Sequence, residues 1–314
     1  MSTTLQTLPQ LVLDGLVVGF VYALIAVGYT MVYGVLKLIN FAHGDVFMVG
    51  AFVGTEVLQA LTAGGHPLSP WLLLLAAVVP AAVVTAILGV GIERIAYRPL
   101  RHAPTLIVLV SAIGVSFVLE DLVRLVESIH LGKFVLPVPT VFATVYRFHL
   151  AGLSNPLTLR LNSIVVVVAA ILMMVGLTLF VGRTRPGKAM RAVAEDQATA
   201  ALQGVDVNAI IALTFLVGSA MGGAAGALFA TQYTLVTPYM GFQIGIKAFT
   251  AAVVGGIGNI PGAFLGGILL GVLEQVGGGF IGTKFQNVVA FSVLVLVLVL
   301  LPSGLLGERV QERT

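Results

Sequence analysis

The chain has 314 residues, 58% of them hydrophobic and 9% charged, with a net charge of +3 and no cysteine. An ordinary soluble domain is about 25% charged, so a soluble globular fold is excluded; runs of about 18 uncharged residues instead indicate an all-α polytopic membrane protein. The missing cysteines exclude disulfides and thiolate metal sites, the small net charge carries no nucleic-acid signal, and 37 glycines suit helices packed backbone to backbone.

The opening MSTTLQTLPQ has no Lys or Arg and does not read as a cleaved signal peptide. The first apolar run spans about Leu11 to Leu36. After the break LKLINFAHGD comes a second, about Asp45 to Ala63, and a third, Trp71 to Ile92, which ends in the charged loop ERIAYRPLRHAP. The fourth covers Thr105 to about Val126. Glu127 to Arg160 holds Pro137, Pro139, Asn155 and Pro156, which predicts a loop with room for a short surface helix. The fifth run is Ser163 to Val181 and the sixth Asn208 to about Tyr233. A glycine-dense segment, Lys247 to Leu273, and a last run, Val288 to Leu301, complete the chain. The whole reads as one transmembrane domain, residues 1–314, with about eight transmembrane helices plus a broken or re-entrant glycine-rich segment.

Orientation follows from Lys and Arg in short loops. Arg94, Arg98 and Arg101 place the 93–104 loop in the cytoplasm, and Arg183, Arg185, Lys188 and Arg191 do the same for the 183–207 stretch. The 127–160 loop is then periplasmic, despite Lys133, Arg147 and Arg160. Parity at the far end depends on AAVVGGIGNIPGAFLGG. One crossing leaves the C-terminus outside; two half-helices that turn back at Gly255, Gly256, Gly258 and Pro261 return Arg309 and Arg313 to the cytoplasm. The second is preferred, because non-helical backbone at membrane depth is tolerated where protein or a water-filled cavity covers it.

Gly218, Gly222 and Gly226 form a stripe for close helix packing, a spacing repeated at Gly15 and Gly19, Gly50 and Gly54, Gly262 and Gly266, and Gly267 and Gly271. Gly182 to Ala189, GRTRPGKA, resembles a P-loop but carries Ala189 in place of the magnesium-binding Ser or Thr. It also follows a membrane helix and not a strand, so no nucleotide site is assigned. In INFAHGD, the residues Asn40, Phe41, His43 and Asp45 offer either polar groups for a translocation pathway or a short turn beside Lys37. His43 and Asp45 are too few for a metal site, and no cofactor is implied. Glu120, Asp121 and Arg124 fall near the far end of the fourth helix as a solvated or paired rim, and Glu56 and Glu274 fall near helix ends. With no charge at mid-membrane, an ion-driven transporter loses support, and a substrate that is neutral overall with an apolar part is favoured. No grouping suggests catalysis. The stretch Arg183 to Asp206 predicts a helix over Gly187 to Gln203 that exposes Met190, Val193 and Leu202, closes at Gly204, and docks a soluble partner.

Four runs go further: YALIAVGYTMVYGVLKLINFAHGD (Tyr22 to Asp45), ERIAYRPLR (Glu93 to Arg101), GKAMRAVAEDQATAALQGVDVNAIIALTF (Gly187 to Phe215) and GIKAFTAAVVGGIGNIPGAFLGG (Gly245 to Gly267). They closely resemble the permease subunit, H-type, of bacterial high-affinity branched-chain amino acid ABC transporters. The resemblance covers almost the whole chain and is weakest in the outer loop and both tails. It implies a multi-pass inner-membrane permease paired with an M-type permease, two cytoplasmic ATPase subunits and a periplasmic binding protein that delivers leucine, isoleucine or valine. It places the ATPase-coupling loop at Glu195 to Gly204, with Arg191, Glu195, Asp196, Ala200 and Gly204 as the coupling residues; Asp196 departs from the importers' EAA-then-Gly pattern. The unwound backbone at Asn40 to Asp45 and Gly255 to Pro261 is the candidate pathway. Related permeases carry urea, short amides or other amino acids, which stays open, as does a self-sufficient secondary transporter.

Overall fold

The structure is a computed structural model that describes residues 2–64, 68–101, 103–130, 132, 134–149, 156–301 and 303–307; His102, Lys133, Asn155, Arg309 and Arg313 lie outside the described residues. Its helices are α1 (Ser2–Leu36), α2 (His43–Ala63), α3 (Pro70–Ile92), α4 (Thr105–His130), α5 (Leu161–Arg183), α6 (Arg185–Glu195), α7 (Gln197–Leu202), α8 (Val207–Gln232), α9 (Met240–Gly255), α10 (Ile260–Ile281) and α11 (Gln286–Leu300). Among the described residues, eight helices are long and apolar enough to cross a membrane, and α9 is a shorter apolar helix.

Lipid tails are as apolar as leucine, so burial alone does not drive these helices together; close van der Waals packing must. Glycine makes that packing possible. Gly267 lies on the backbone of Ala23 and Gly271 on that of Gly19, so α10 runs antiparallel along α1 at backbone contact. Gly50 meets the backbone of Gly223, and Gly226 meets the Phe47 carbonyl, which seats α2 on α8. Gly218 abuts the Gly28 carbonyl, and Gly222 abuts the His43 ring. A side chain at most of these contacts would drive the backbones apart. The helices α1, α2 and α8 are therefore central, whereas α4, α5 and α11 are peripheral and present exposed Leu, Val, Ile and Phe around the bundle.

Three sequence expectations change. The glycine-dense segment does not form two half-helices. It breaks at Gly256 to Asn259, where Gly256 and Gly258 take φ of 106° and 98°, and α10 beyond the break is a 22-residue helix long enough to span. Its glycines form a packing stripe and do not break it. The charged loop after α3 is helical: a π-helical turn, Glu93–Tyr97, and a 3₁₀ turn, Arg98–Leu100, continue the span. Glu93 is buried and pairs with Arg101 there, while the Tyr97 ring packs at 5.3 Å on Phe215. Among its described residues, the outer segment takes part in two small antiparallel pairs, with no separate surface helix. β1 (Leu136–Pro137) pairs with β4 (Leu235–Val236), and β2 (Val145–Phe148) pairs with β3 (Leu157–Arg160), with Val145 opposite Arg160.

The bundle has two ends. One gathers Lys37, Gly182, Arg191 and Ile257 to Pro261; on it, Leu305 and Leu306 donate backbone hydrogen bonds to the carbonyls of Val254 and Gly255, at 2.9 and 3.0 Å. The other gathers Gln10, Asp14, Arg160, Tyr233 and Gln275.

Candidate functional site

The stretch Arg183 to Asp206 folds as two short helices, α6 and α7, and not as the single helix expected over Gly187 to Gln203. Asp196 causes the break. Its backbone is extended (φ −152°, ψ 112°), and its carboxylate accepts from the backbone N–H of Ala198 at 2.8 Å and of Thr199 at 3.2 Å, and from the Thr199 hydroxyl at 2.7 Å. An N-cap requires extended backbone, so the residue that starts α7 must interrupt the helix before it. The Thr199 hydroxyl first, then the two N–H groups, hold the Asp196 carboxyl below its ordinary value of 3.8. Gly204, with φ of 83°, closes α7 as expected of a C-terminal glycine.

The inner face of this pair belongs to the bundle. Met190 and Val193, expected to face a partner, are only 3% and 1% exposed, because α6 lies against the chain's own helices; Ala200 is buried too. Gln197 donates to the Val35 carbonyl at 3.1 Å, tying α7 to the end of α1. Arg191 donates to the carbonyls of Val181 and Gly182, at 2.9 and 3.1 Å, where a cation suits the end of α5. Of the five coupling candidates, Arg191 and Ala200 thus serve the bundle, Gly204 shapes the turn, and Glu195 and Asp196 are exposed. Leu202 beside them is 90% exposed. The P-loop-like GRTRPGKA is not a loop: Gly182 and Arg183 end α5, and Gly187 packs on the Val181 backbone in the first turn of α6.

The INFAHGD break is sunk in the bundle. Lys37, at φ of 56°, ends α1. His43 is fully buried; its ring packs edge-on to Tyr29 at 4.8 Å and lies against Gly28 and Gly222. Gly28 is about 12 Å up α1 from Leu36 at 1.5 Å per residue, so this is not a surface turn. The His43 nitrogens make no well-formed hydrogen bond, and the carbonyl of Ile25 is the acceptor in reach. Asp45 accepts from the Ser116 hydroxyl through one oxygen and leaves the other unpartnered. Asn40 accepts from the Tyr97 hydroxyl at 3.0 Å, and Phe41 packs on Phe249 at 5.7 Å. A buried group with unused hydrogen-bond capacity, in a bundle without bulk water, is a costly feature to keep.

A cavity of about 670 Å³ lies at the second break, lined by Tyr33, Lys37, Arg191, Gly258, Asn259 and Pro261 among others; Lys37 at the end of α1 borders it, whereas Asn40 to Asp45 do not. Asn259 shapes it: its side chain accepts from Gly262 N–H at 3.0 Å, capping α10, and donates to the Leu306 carbonyl at 2.8 Å. Pro261 fits the first turn of α10, where no donor is required. Gly255 and Gly262 are in backbone contact, and the Gly256 conformation is one that only glycine adopts freely. The coupling segment, through Arg191, and the second pathway stretch therefore share this cavity, whereas the Asn40 to Asp45 stretch lies apart from it and meets α9 through Phe41 and Phe249.

Sequence reading misses two charged features. Glu274, expected near a helix end, lies in the eighth-from-last position of α10 and forms an ion pair at 2.6 Å with Lys247 of α9, whose ammonium also lies 5.9 Å from the Tyr22 ring centre. Lys247 inside a glycine-rich apolar segment was the signal available. Asp14 interrupts the otherwise uncharged first run and faces the second cavity together with Tyr233. Burial first, then the charges of Glu274 and Asp14, push the Tyr233 hydroxyl up to about 12, so it remains a donor at neutral pH.

Comparison with known proteins adds a family. Residues 11–300 match the family described as branched-chain amino acid transport system, permease component. The high-affinity branched-chain amino acid transport system permease protein BraD of Pseudomonas aeruginosa is 45% identical over 304 residues, covering 97% of each chain. The permease proteins LivH of Salmonella typhimurium and of Escherichia coli K12, described in the same words, are each 42% identical over 306 residues, again 97% of each chain.

Proposed function

Because the chain belongs to the permease-component family of branched-chain amino acid transport systems, we propose that it is the H-type permease subunit of an ABC importer for branched-chain amino acids. It is a multi-pass inner-membrane protein. Its partners are an M-type permease, two cytoplasmic ATPase subunits that supply the power, and a periplasmic binding protein. The end carrying Lys37, α6, α7 and residues 303–307 is cytoplasmic, in agreement with the cluster of Arg183, Arg185, Lys188 and Arg191. The strands β1 to β4 are periplasmic. The chain hydrolyses no nucleotide itself, a reading supported by the helical fold of its one P-loop-like segment.

One juxtaposition supports the reading most directly: the α6–α7 junction and α7 expose Glu195, Asp196 and Leu202, and α7 is tied to the end of α1 through Gln197. A partner that moves α7 on ATP binding would pull Val35, and with it the Lys37 to Ala42 break, while Arg191 carries the motion to α5. Lys37, Arg191 and the second break border the same cavity, so this motion opens or closes backbone groups there to the cytoplasm. ATP hydrolysis resets it. The test is reconstitution with the three partner types in liposomes. Leucine uptake that requires ATP and the binding protein is the expected result; uptake by this chain alone, driven by an ion gradient, would make it a secondary transporter.

A further inference from the structure

The second cavity, about 520 Å³, lies at the end of the bundle opposite α6 and α7, and falls within the usual size of a small-molecule site. Two opposite charges border it. Asp14 lines it from α1 and Arg160 from the junction of β3 and α5. Neither belongs to an ion pair among the described residues. They therefore face each other at more than contact distance.

The surroundings hold this gap open. Gln10 donates to Asp14 at 2.9 Å and to the Thr158 carbonyl at 3.1 Å, and accepts from Thr158 N–H at 2.8 Å. This reciprocal link fixes α1 to β3, one turn of helix from Asp14 and two residues from Arg160. Leu13, Val17, Val18 and Leu159 give the cavity an apolar wall beside the charged pair. Asp14 and Arg160 are both exposed at the cavity, where their charges can reach a ligand. The pair carries no net charge, so it selects neither cations nor anions. What satisfies both groups is a ligand with a positive and a negative end close together and an apolar branch.

We propose that this cavity is a station for a zwitterionic amino acid, in which Arg160 holds the α-carboxylate, Asp14 the α-ammonium, and Leu13, Val17 and Val18 the side chain. The assignment rests on the functional reading above and adds to it the site where the amino acid, released by the binding protein, first meets this chain. A planar guanidinium suits a carboxylate bidentately, and the Asp14 carboxylate accepts from an ammonium. A zwitterionic lipid headgroup has similar chemistry, so binding must be read without lipid.

The test uses the complete transporter, purified in detergent free of added phospholipid and, separately, reconstituted in liposomes. Radiolabelled leucine binding and ATP-driven uptake are compared for wild type, Asp14→Asn, Arg160→Gln and Arg160→Lys. Losing one charged contact to the ligand is expected to lower uptake at subsaturating leucine by roughly tenfold or more. Melting temperature and co-purification of partners should stay at wild-type values, and Arg160→Lys should retain more uptake than Arg160→Gln. Leucinamide, which lacks the carboxylate, should compete with leucine far less in wild type than in Arg160→Gln. Wild-type uptake in all three variants would overturn the site and leave the transport function standing. So would losses matched by lost assembly. A wild-type complex that moves no amino acid would overturn the functional reading and the site with it. Saturation of the cavity by phosphatidylethanolamine, with no leucine bound in lipid-free detergent, would assign it to lipid.

Discussion

Asp196 carries the clearest residue-scale lesson. Its extended backbone separates α6 from α7, and its carboxylate starts α7 with a three-contact cap. Its carboxyl is held below the ordinary value of 3.8, so the cap contributes fully above that value and is lost as pH falls through the lowered one. Asp196→Ala should therefore speed amide exchange at Ala198 and Thr199 at pH 6. The contrast with wild type should shrink in strong acid, and Asp196→Asn should lie between the two. Hydrogen exchange followed by mass spectrometry reads this directly, and equal exchange in wild type and the alanine variant at pH 6 would show that the cap does not hold α7. Gly204 was legible from sequence because its position after a helical run demands a left-handed residue. The Asp196 break was not, because an Asp among alanines is compatible with either one helix or two until its backbone angle is known.

At the scale of elements, the pairing of α9 with α10 depends on Lys247 and Glu274. Their side chains are 13% and 3% exposed, and removing one partner of such a pair leaves an uncompensated charge that costs about 3–5 kcal/mol. Glu274→Gln is expected to lower the Tm of the purified complex clearly, whereas Lys247→Met combined with Glu274→Leu should recover most of that loss. A double variant no more stable than the single would show that the pair is not a coupled unit. The run boundaries of α3, α5 and α8 and the end of α1 were readable from hydropathy, and so was the break at Gly256 to Asn259; the start of α1 was not, since the helix begins at Ser2, before the apolar run. The glycines within α10 were harder to read. Gly262, Gly266, Gly267 and Gly271 weaken an isolated helix, yet they are what lets α10 touch α1 and α9. Whether a glycine breaks or packs is decided by the neighbour, which a single sequence does not contain. The same limit hid the burial of Met190 and Val193, since an amphipathic α6 could have faced a partner as easily as its own bundle.

For the molecule as a whole, the described structure links an exposed α7 at one end, through Gln197 and α1, to a buried polar break and then to a charged cavity at the other end. Central helices α1, α2 and α8 carry this line, and peripheral α4, α5 and α11 leave apolar surface exposed around the bundle. The central claim is that force enters at the outer face of α7. Glu195 and Leu202 test it best, because both are exposed and their replacement should leave the bundle intact. In the co-expressed transporter, Glu195→Lys combined with Leu202→Asp is measured for ATPase subunits retained on purification through this chain. The account predicts that their retention falls by at least about tenfold and that leucine uptake is lost, at an unchanged Tm. Full retention of the ATPase subunits with wild-type uptake would contradict it.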